Sequence, residues 1–210
     1  YEIGSGLVGS EMCIRDRQAV HPIEAAYFHQ SHLKGCQDYG HQVVSVMLSC
    51  NGITLNYAVI LYDKSRSKIQ IVQEIAEELP AAPVISYFLC DSWYTTAKVM
   101  DRFIRKGFYT VGALKTNRIL YPCGIRQKAS AFALHLRKTD PDVSLVTVGN
   151  RRFYAYRYEG KVSDCKKAVV LLCYSEKSLG NPDALRVFIS TQTNLSTCLL
   201  YTSPSPRDRS

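Results

Sequence analysis

The sequence predicts a mixed α/β sheet with helical crossovers, followed by an antiparallel β-rich region. Between residues 41 and 114, apolar segments rich in β-branched residues alternate with helix-periodic segments in the order hairpin, helix, strand, helix, strand. After about Thr116 the pattern changes to short strands separated by Gly-Asn, Glu-Gly and Ser-Asp turns. A chain of 210 residues, 46% of them hydrophobic, fits one globular domain, or one domain with an inserted subdomain.

The first predicted element is a β-hairpin. Residues 41–50 and 53–62 are apolar and rich in β-branched side chains, as strands are. Asn51-Gly52 stands between them, and this dipeptide favours a two-residue turn in which both positions have positive φ. The two segments therefore predict an antiparallel pair.

A helix and a buried strand follow the hairpin. In residues 67–79 apolar side chains recur at helical spacing, with Ser67 as the cap and Pro80 as the stop. Residues 84–90 (VISYFLC) are nearly all apolar, which is typical of a strand covered on both faces. The strand therefore delivers Asp91 at its carboxyl end.

A second helix leads into the β-rich region. It begins after Thr95 or Thr96 and stops at Gly107, and residues 108–114 form the next strand. Further strands are predicted at 143–148, 152–158, 168–174 and, as a returning strand, 187–190. We therefore expect a core at residues 18–120 and a β-rich insertion with its return at residues 121–197.

Both ends of the chain read as translated sequencing-library adapter. Residues 198–208 read CLLYTSPSPRD. One back-translation of this peptide, reverse-complemented and read in a shifted frame, encodes LVGSEMCIRD, which is the sequence of residues 7–16. The alternative is a genuine inverted repeat in the gene. We expect residues 1–17 and 198–210 to be non-native, unstructured segments around an internal fragment of a longer protein.

The charge of the chain favours a polyanionic partner. The formal net charge is +8, and the two terminal segments carry four basic and four acidic residues, so the whole excess lies in residues 18–197. Such an excess is typical of nucleic-acid binding. No apolar run approaches the roughly 20 residues that cross a bilayer, and no secretory signal is visible, so we expect a cytoplasmic location.

The cysteines and histidines give no metal motif. The eight cysteines include no CxxC pair, and His21, His29, His32 and His41 with Cys36 lack the spacing of a zinc site. We expect six cysteines to be buried, reduced thiols, namely Cys36, Cys50, Cys90, Cys123, Cys165 and Cys173.

Asp91 is the strongest candidate for chemistry. A carboxylate at the carboxyl end of a buried strand, just before a helix, stands where open α/β sheets place their sites. Its oxygens suit a hard divalent cation. The alternative is that Asp91 only starts the following turn.

Seven short motifs run through the chain in a fixed order. They are 31–35 (SHLKG), 39–48 (YGHQVVSVML), 67–68 (SK), 91–94 (DSWY), 112–118 (GALKTNR), 145–160 (LVTVGNRRFYAYRYEG) and 188–191 (FIST). In this order they resemble bacterial insertion-sequence transposases of the DDE class. The resemblance implies an RNase H-like catalytic core with a β-rich insertion between the second and third acidic residues.

The resemblance also assigns residue roles. It implies that Asp91 is the second catalytic aspartate and a metal ligand, with the first aspartate in a strand before Gln18 and the glutamate on a helix after Thr197. Asp38 is rejected as the first aspartate because QDYGH is a turn-like stretch. Gln192 departs from the family, whose members often carry an acidic residue after FIST.

The implied cofactors are two Mg²⁺ or Mn²⁺ ions. Two ions roughly 4 Å apart activate the attacking oxygen and stabilise the leaving oxygen in phosphoryl transfer. Water is the first nucleophile, and the freed DNA 3′ hydroxyl is the nucleophile in strand transfer. Because one aspartate cannot hold both ions, we expect the fragment alone to be inactive.

A basic stretch supplies candidate DNA contacts. From Arg102 to Thr139 the chain carries nine basic residues and no acidic one: Arg102, Arg105, Lys106, Lys115, Arg118, Arg126, Lys128, Arg137 and Lys138. Such a stretch can contact phosphates without reading sequence, although a solvated basic surface has the same composition. The favoured DNA contacts are Lys115, Asn117, Arg118, Arg126 and Lys128.

Trp93 and Tyr94 have two interpretations. They can stack on an extruded base, or they can pack the start of the helix against the sheet, which is the commoner role. The favoured function of the parent protein is metal-dependent DNA cleavage and strand transfer. Its partners would be double-stranded DNA, at transposon ends and target, and further copies of itself on DNA. The rival functions are an RNase H-like nuclease and a non-catalytic DNA-binding protein descended from a transposase.

Overall fold

The computed structural model describes residues 6–15, 24–30, 35–163 and 165–195, and for residues 6–15 it describes the backbone alone. The strands are β1 (Gly6–Arg15), β2 (Tyr27–Gln30), β3 (Gln37–Cys50), β4 (Ile53–Tyr62), β5 (Ser86–Cys90), β6 (Phe108–Ala113), β7 (Ile119–Leu120), β8 (Gln127–Lys128), β9 (Val143–Val148), β10 (Arg151–Val162), β11 (Cys165–Ser175) and β12 (Arg186–Ser190). The helices are α1 (Lys68–Glu78), α2 (Ala97–Arg105) and α3 (Ala129–Ala133).

The strands of the described residues form one twelve-stranded sheet. Its central path runs β3, β1, β5, β6, β12, β11, β10, with β4 on the far edge of β3 and β9 beside β10. β1, β5 and β6 are parallel to one another, whereas β3 and β4 are antiparallel to their neighbours. An antiparallel hairpin joined to parallel strands with helical crossovers is the predicted mixed α/β, RNase H-like class, and the prediction is confirmed.

The hairpin and the two strands around Asp91 share this sheet, as predicted. β3 and β4 pair from Cys50↔Ile53 outward, and the turn residues have the expected positive φ, 50° at Asn51 and 77° at Gly52. The hairpin does not contact β5 through the ladder directly, because β1 lies between them.

The prediction that the N-terminal segment is unstructured is wrong for Gly6–Arg15. This segment is a strand that pairs antiparallel with β3 over ten positions and parallel with β5 at residues 6–8. The physical reason is that β3 and β5 each need a backbone partner, and any segment other than proline supplies the N–H and C=O groups of a ladder. A segment whose sequence resembles translated adapter can therefore form the same backbone hydrogen bonds as any other segment. The C-terminal segment 198–210 lies outside the described residues.

The two crossover helices form as the sequence predicts. Ser67 caps α1 in a reciprocal box, in which its Oγ accepts from the Gln70 N–H at 3.2 Å and Gln70 Oε1 accepts from the Ser67 N–H at 2.8 Å. α2 follows Thr96, whose hydroxyl makes no capping bond, and it stops before Gly107 at φ 84°. No helix of the described residues is long and apolar enough to cross a membrane.

The helices cover one face of the sheet. The rings of Phe88 on β5 and Phe103 on α2 stack with centroids 3.7 Å apart and an interplanar angle of 5°. Ile71 and Ile75 of α1 and Val46 of β3 complete the same buried cluster. This packing fixes β5, and therefore the position at which Asp91 leaves the sheet.

The β-rich region is continuous with the sheet. β12 pairs antiparallel with β6 through Ser190↔Val111, and β11 and β10 follow it. The four predicted strands correspond to β9–β12, with β10 and β11 longer than predicted. Long-range pairing through β12 therefore fixes the insertion against the strand next to Asp91.

Three local expectations differ from the structure. Val84 and Ile85 are 60% and 61% exposed and precede β5, because the sheet ladder begins only at Ser86. Asp38 lies within β3, so the turn-like stretch is strand. Cys36, Cys50 and Cys123 are exposed, since they lie at strand ends and in a turn, Cys90 and Cys165 are half-buried, and Cys173 is buried. Burial raises the pKa of the Cys173 thiol to about 12.

Gly112→Ala is expected to lower the free energy of unfolding. A Cβ at Gly112 would lie 2.5 Å from the Cys90 carbonyl oxygen and 3.0 Å from Thr95 Cγ2, and backbone cannot give way as a side chain can. Overpacking of this kind costs about 1–3 kcal/mol. Thr110→Val on the same strand is the control, since the Thr110 hydroxyl is buried without a hydrogen-bond partner among the described residues. Urea unfolding of both variants tests this, and equal stability of Gly112→Ala and the parent would contradict it.

Candidate active site

Asp91 lies at the carboxyl end of β5, where the chain leaves the sheet. Its Oδ1 accepts from the Ser92 N–H at 2.5 Å, and its carbonyl oxygen accepts from the Tyr94 N–H at 3.0 Å. The carboxylate is half-buried. The first bond orients the carboxylate, as a metal ligand requires, and the second holds the backbone of the turn that follows.

The loop after Asp91 is anchored to β6 and to the hydrophobic core. Thr95 Oγ1 lies 3.1 Å from the Ser92 carbonyl oxygen and 3.0 Å from that of Ala113 on β6, so its proton is shared between two acceptors. Tyr94 is 4% exposed and belongs to the core between sheet and helices. Tyr94 therefore packs, which is one of the two interpretations of that residue.

Arg118 lies beneath this loop. Its Nη2 donates to the Thr95 carbonyl oxygen at 3.3 Å, and its buried Nε has no hydrogen-bond partner among the described residues. The side chain is half-buried beside Met100 and Cys165. Arg118 therefore contacts the loop after Asp91 through a hydrogen bond on the interior side of that loop.

A cleft of about 1060 Å³ opens beside Asp91. Asp91, Ser92 and Lys115 line it from the carboxyl ends of β5 and β6. The β-rich region contributes most of the rest of the lining, where Arg151 begins β10 and Arg186 begins β12. The cleft is therefore bounded by the core and the insertion together.

The cleft is more basic than acidic. Its basic lining residues are Lys115, Arg151, Arg152, Lys177 and Arg186, and its acidic ones are Asp91, Glu176 and Asp183. Arg152 is paired with Glu176 at 2.9 Å, whereas Arg151, Lys177 and Arg186 are exposed. A concave basic surface of this kind attracts a phosphate backbone.

The structure brings one of the five predicted DNA contacts to Asp91. Lys115 lines the cleft, whereas Asn117, Arg118, Arg126 and Lys128 are not among the described residues that line it. Arg126 and Lys128 are exposed on the loop and short strand after β7.

The basic lining residues that come from the β-rich region were not predicted. Arg151 and Arg152 stand in the motif GNRRFY, and the Asn-Arg-Arg sequence after a turn was the available signal. No sequence signal indicated Lys177 and Arg186, because only the pairing of β12 with β6 brings them toward Asp91.

The basic residues of α2 contact α1 instead. Arg102 forms an ion pair with Glu77, Arg105 lies 3.8 Å from the same carboxylate, and Lys106 Nζ donates to the carbonyl oxygens of Glu77 and Leu79 at 2.7 and 2.8 Å. This part of the basic stretch therefore joins the two helices.

The described residues line the cleft with three carboxylates, of which Asp91 follows β5 and Glu176 is already paired with Arg152. They contain no group of three or more His, Cys, Asp or Glu side chains that could hold one. Asp38 lies far from Asp91. If the β1–β5 register continues by two residues, Ser10 of β1 lies beside Asp91, and Ser10 pairs with Ser45 of β3, which is therefore level with Asp91. Asp38 is seven residues from Ser45 along β3, or about 24 Å at 3.4 Å per residue. Asp91 thus fits a hard cation as one ligand, and the described residues do not complete a two-ion site.

Two neighbours of the site have shifted pKa values. Burial raises the pKa of the Cys90 thiol far above its usual range, and the adjacent Asp91 adds to the shift, so the thiol stays protonated. Burial also raises the pKa of Tyr87, whose hydroxyl donates to Gln192 Oε1 at 2.6 Å. Gln192 therefore orders the chain after β12.

Arg118→Ala is expected to lower the free energy of unfolding by about 1–3 kcal/mol, because it leaves the Thr95 carbonyl without its charged donor and opens a gap beside Met100. Arg126→Ala is the matched control, since an exposed arginine contributes within about 0.5 kcal/mol. Urea unfolding of both variants is the measurement. Equal effects of the two substitutions would remove the structural role from Arg118.

The comparisons with known proteins agree with this geometry. The family model described as transposase DDE domain matches residues 21–172, which is more than half of the chain and includes Asp91, Lys115 and Arg151. A search of curated proteins gave no match. Members of this family cleave and transfer DNA strands by phosphoryl transfer and generally use divalent metal ions. The chain belongs to the DDE transposase domain family.

Proposed function

We propose that this chain contributes part of a transposase active site, with Asp91 as one ligand of the catalytic metal ions and the basic cleft as the path of the DNA strand. The observation that carries this proposal is the shared cleft, which Asp91 lines together with the basic side chains of Lys115 and Arg151. Electrostatic positioning is most of what a protein supplies to phosphoryl transfer, so a directed carboxylate within a basic cleft suits that reaction.

In this proposal different residues bind the phosphates and the metal ion. Arg151, Lys177 and Arg186 are exposed and would hold phosphates without reading sequence, while Lys115 would hold the phosphate nearest Asp91. A divalent ion bound at Asp91, Mg²⁺ or Mn²⁺, would supply Lewis acidity to the reacting oxygens. The first aspartate and the glutamate would come from segments of the parent protein outside residues 18–197.

The proposed substrates are transposon ends and target DNA, with self-association on the DNA. In this proposal residues 18–120 act as core and residues 121–197 as the insertion that closes the cleft. The parent would work on DNA in the cytoplasm, at the nucleoid.

The chain is expected to bind DNA weakly, without sequence preference and with strong salt dependence. Each phosphate contact contributes about −0.9 to the slope of log K against log salt for duplex DNA. Lys115→Ala and Arg151→Ala should each flatten the slope by about 0.9, whereas Lys98→Ala, an exposed lysine of α2 outside the cleft, should leave it unchanged. Fluorescence anisotropy across a salt series measures all three. Equal slopes for the four proteins would exclude the cleft as the DNA path.

Asp91→Ala is expected to separate binding from cleavage. In the 210-residue chain it should leave DNA affinity intact, and neither parent nor variant should nick DNA with Mg²⁺, because one carboxylate cannot hold two ions. In a full-length parent recovered from the source gene, the same substitution should abolish cleavage. A supercoiled-plasmid nicking assay tests both, and undiminished cleavage by full-length Asp91→Ala would remove Asp91 from catalysis.

A further inference from the structure

Trp93 is an exposed aromatic side chain on an ordered loop. It is the single tryptophan of the chain and is 56% exposed, while its neighbour Tyr94 is 4% exposed. The loop around it is held by the Tyr94 N–H to Asp91 carbonyl bond at 3.0 Å and the Thr96 N–H to Tyr94 carbonyl bond at 2.8 Å. The backbone that carries Trp93 is therefore held in place, while more than half of the indole side chain is exposed to solvent.

A cation stands over the ring. Lys115 Nζ lies 4.6 Å from the centroid of the Trp93 indole. The contact holds the lysine at the aromatic surface, and Lys115 also lines the cleft together with Asp91. Trp93 and Lys115 thus offer an aromatic ring and a positive charge side by side, and Trp93 is two residues along the chain from Asp91.

This combination suits an unpaired nucleotide. Base stacking on an aromatic side chain, with a cation for the phosphate, is how proteins hold single strands without reading sequence. A paired base inside a duplex cannot offer its face to the indole, so the site favours a strand end or an extruded base. A protein partner would need an apolar surface there, whereas the charged group that contacts the indole is the cation of Lys115, which attracts phosphate.

We propose that Trp93, held by Lys115, stacks an unpaired nucleobase of the DNA strand whose phosphate lies at Asp91. This inference rests on the proposed function and specifies the form of the substrate, a locally unpaired strand next to the reacting phosphate. Trp93 would thereby hold the strand in register with the carboxylate.

The single tryptophan makes the test direct, because all indole emission comes from Trp93. The 210-residue chain is titrated at low salt with a labelled single-stranded oligonucleotide, with an abasic phosphodiester of equal length and with a blunt duplex. Anisotropy of the label reports binding, and tryptophan emission reports stacking. We expect the base-containing single strand to quench Trp93, and the abasic strand and the duplex to bind with little quenching.

The outcomes separate the two proposals. Equal quenching by the abasic strand or by the duplex, or binding of the single strand without quenching, would overturn the stacking site while leaving DNA binding intact. Absence of binding by all three probes would overturn the proposed function itself.

Variants give a second readout. Trp93→Leu should weaken binding of the base-containing single strand by about 5- to 150-fold and leave the abasic strand unchanged, while Trp93→Phe should retain most of the affinity. Lys115→Ala should weaken the binding of both strands, because it removes charge from the cleft as well as the cation that contacts the Trp93 ring.

Far-UV circular dichroism and thermal unfolding confirm that the exposed substitutions leave the fold intact. A loss of abasic binding in folded Trp93→Leu equal to that of the base-containing strand would overturn the proposal.

Discussion

The close pairing of β5 and β6 is the constraint on which the site depends. At Cys90↔Gly112 the two backbones approach so closely that no Cβ fits, and Thr95 fills the remaining space by bonding to Ala113. This contact fixes the loop that carries Asp91 against the strand that leads to Lys115. The carboxylate and the lysine are therefore neighbours because two parallel strands end at the same edge of the sheet.

The second constraint is the antiparallel pairing of β12 with β6. It makes the β-rich region an extension of the sheet, so that the starts of β10 and β12 line the same cleft as the strand ends of the core. A flexibly tethered insertion would leave the orientation of Arg151 and Arg186 undefined. Because core and β-rich region share one sheet, the lining residues that they contribute to the cleft have a fixed relation, which is what positioning of a phosphate requires.

Ion pairs with nearby carboxylates partly neutralise some of the basic side chains and leave others exposed. Arg152 is partly neutralised by Glu176, as Arg102 and Arg105 are by Glu77 on the helices, whereas Arg151 and Lys177 are exposed in the cleft. Basic composition alone therefore overstates the DNA-facing surface. The residues that matter are those whose charge is both exposed and directed into the space beside Asp91.

The amino-acid sequence by itself determined the local elements and the family. The Asn51-Gly52 turn, the Ser67 cap and the strand before Asp91 depend on residues close together in the chain, so short patterns were sufficient to predict them. The tertiary structure alone decided which basic residues line the cleft with Asp91, that Arg118 lies under the loop, and that Gly6–Arg15 is a strand between β3 and β5. These features depend on strand pairings between distant segments, and backbone hydrogen bonding leaves little trace in side-chain pattern.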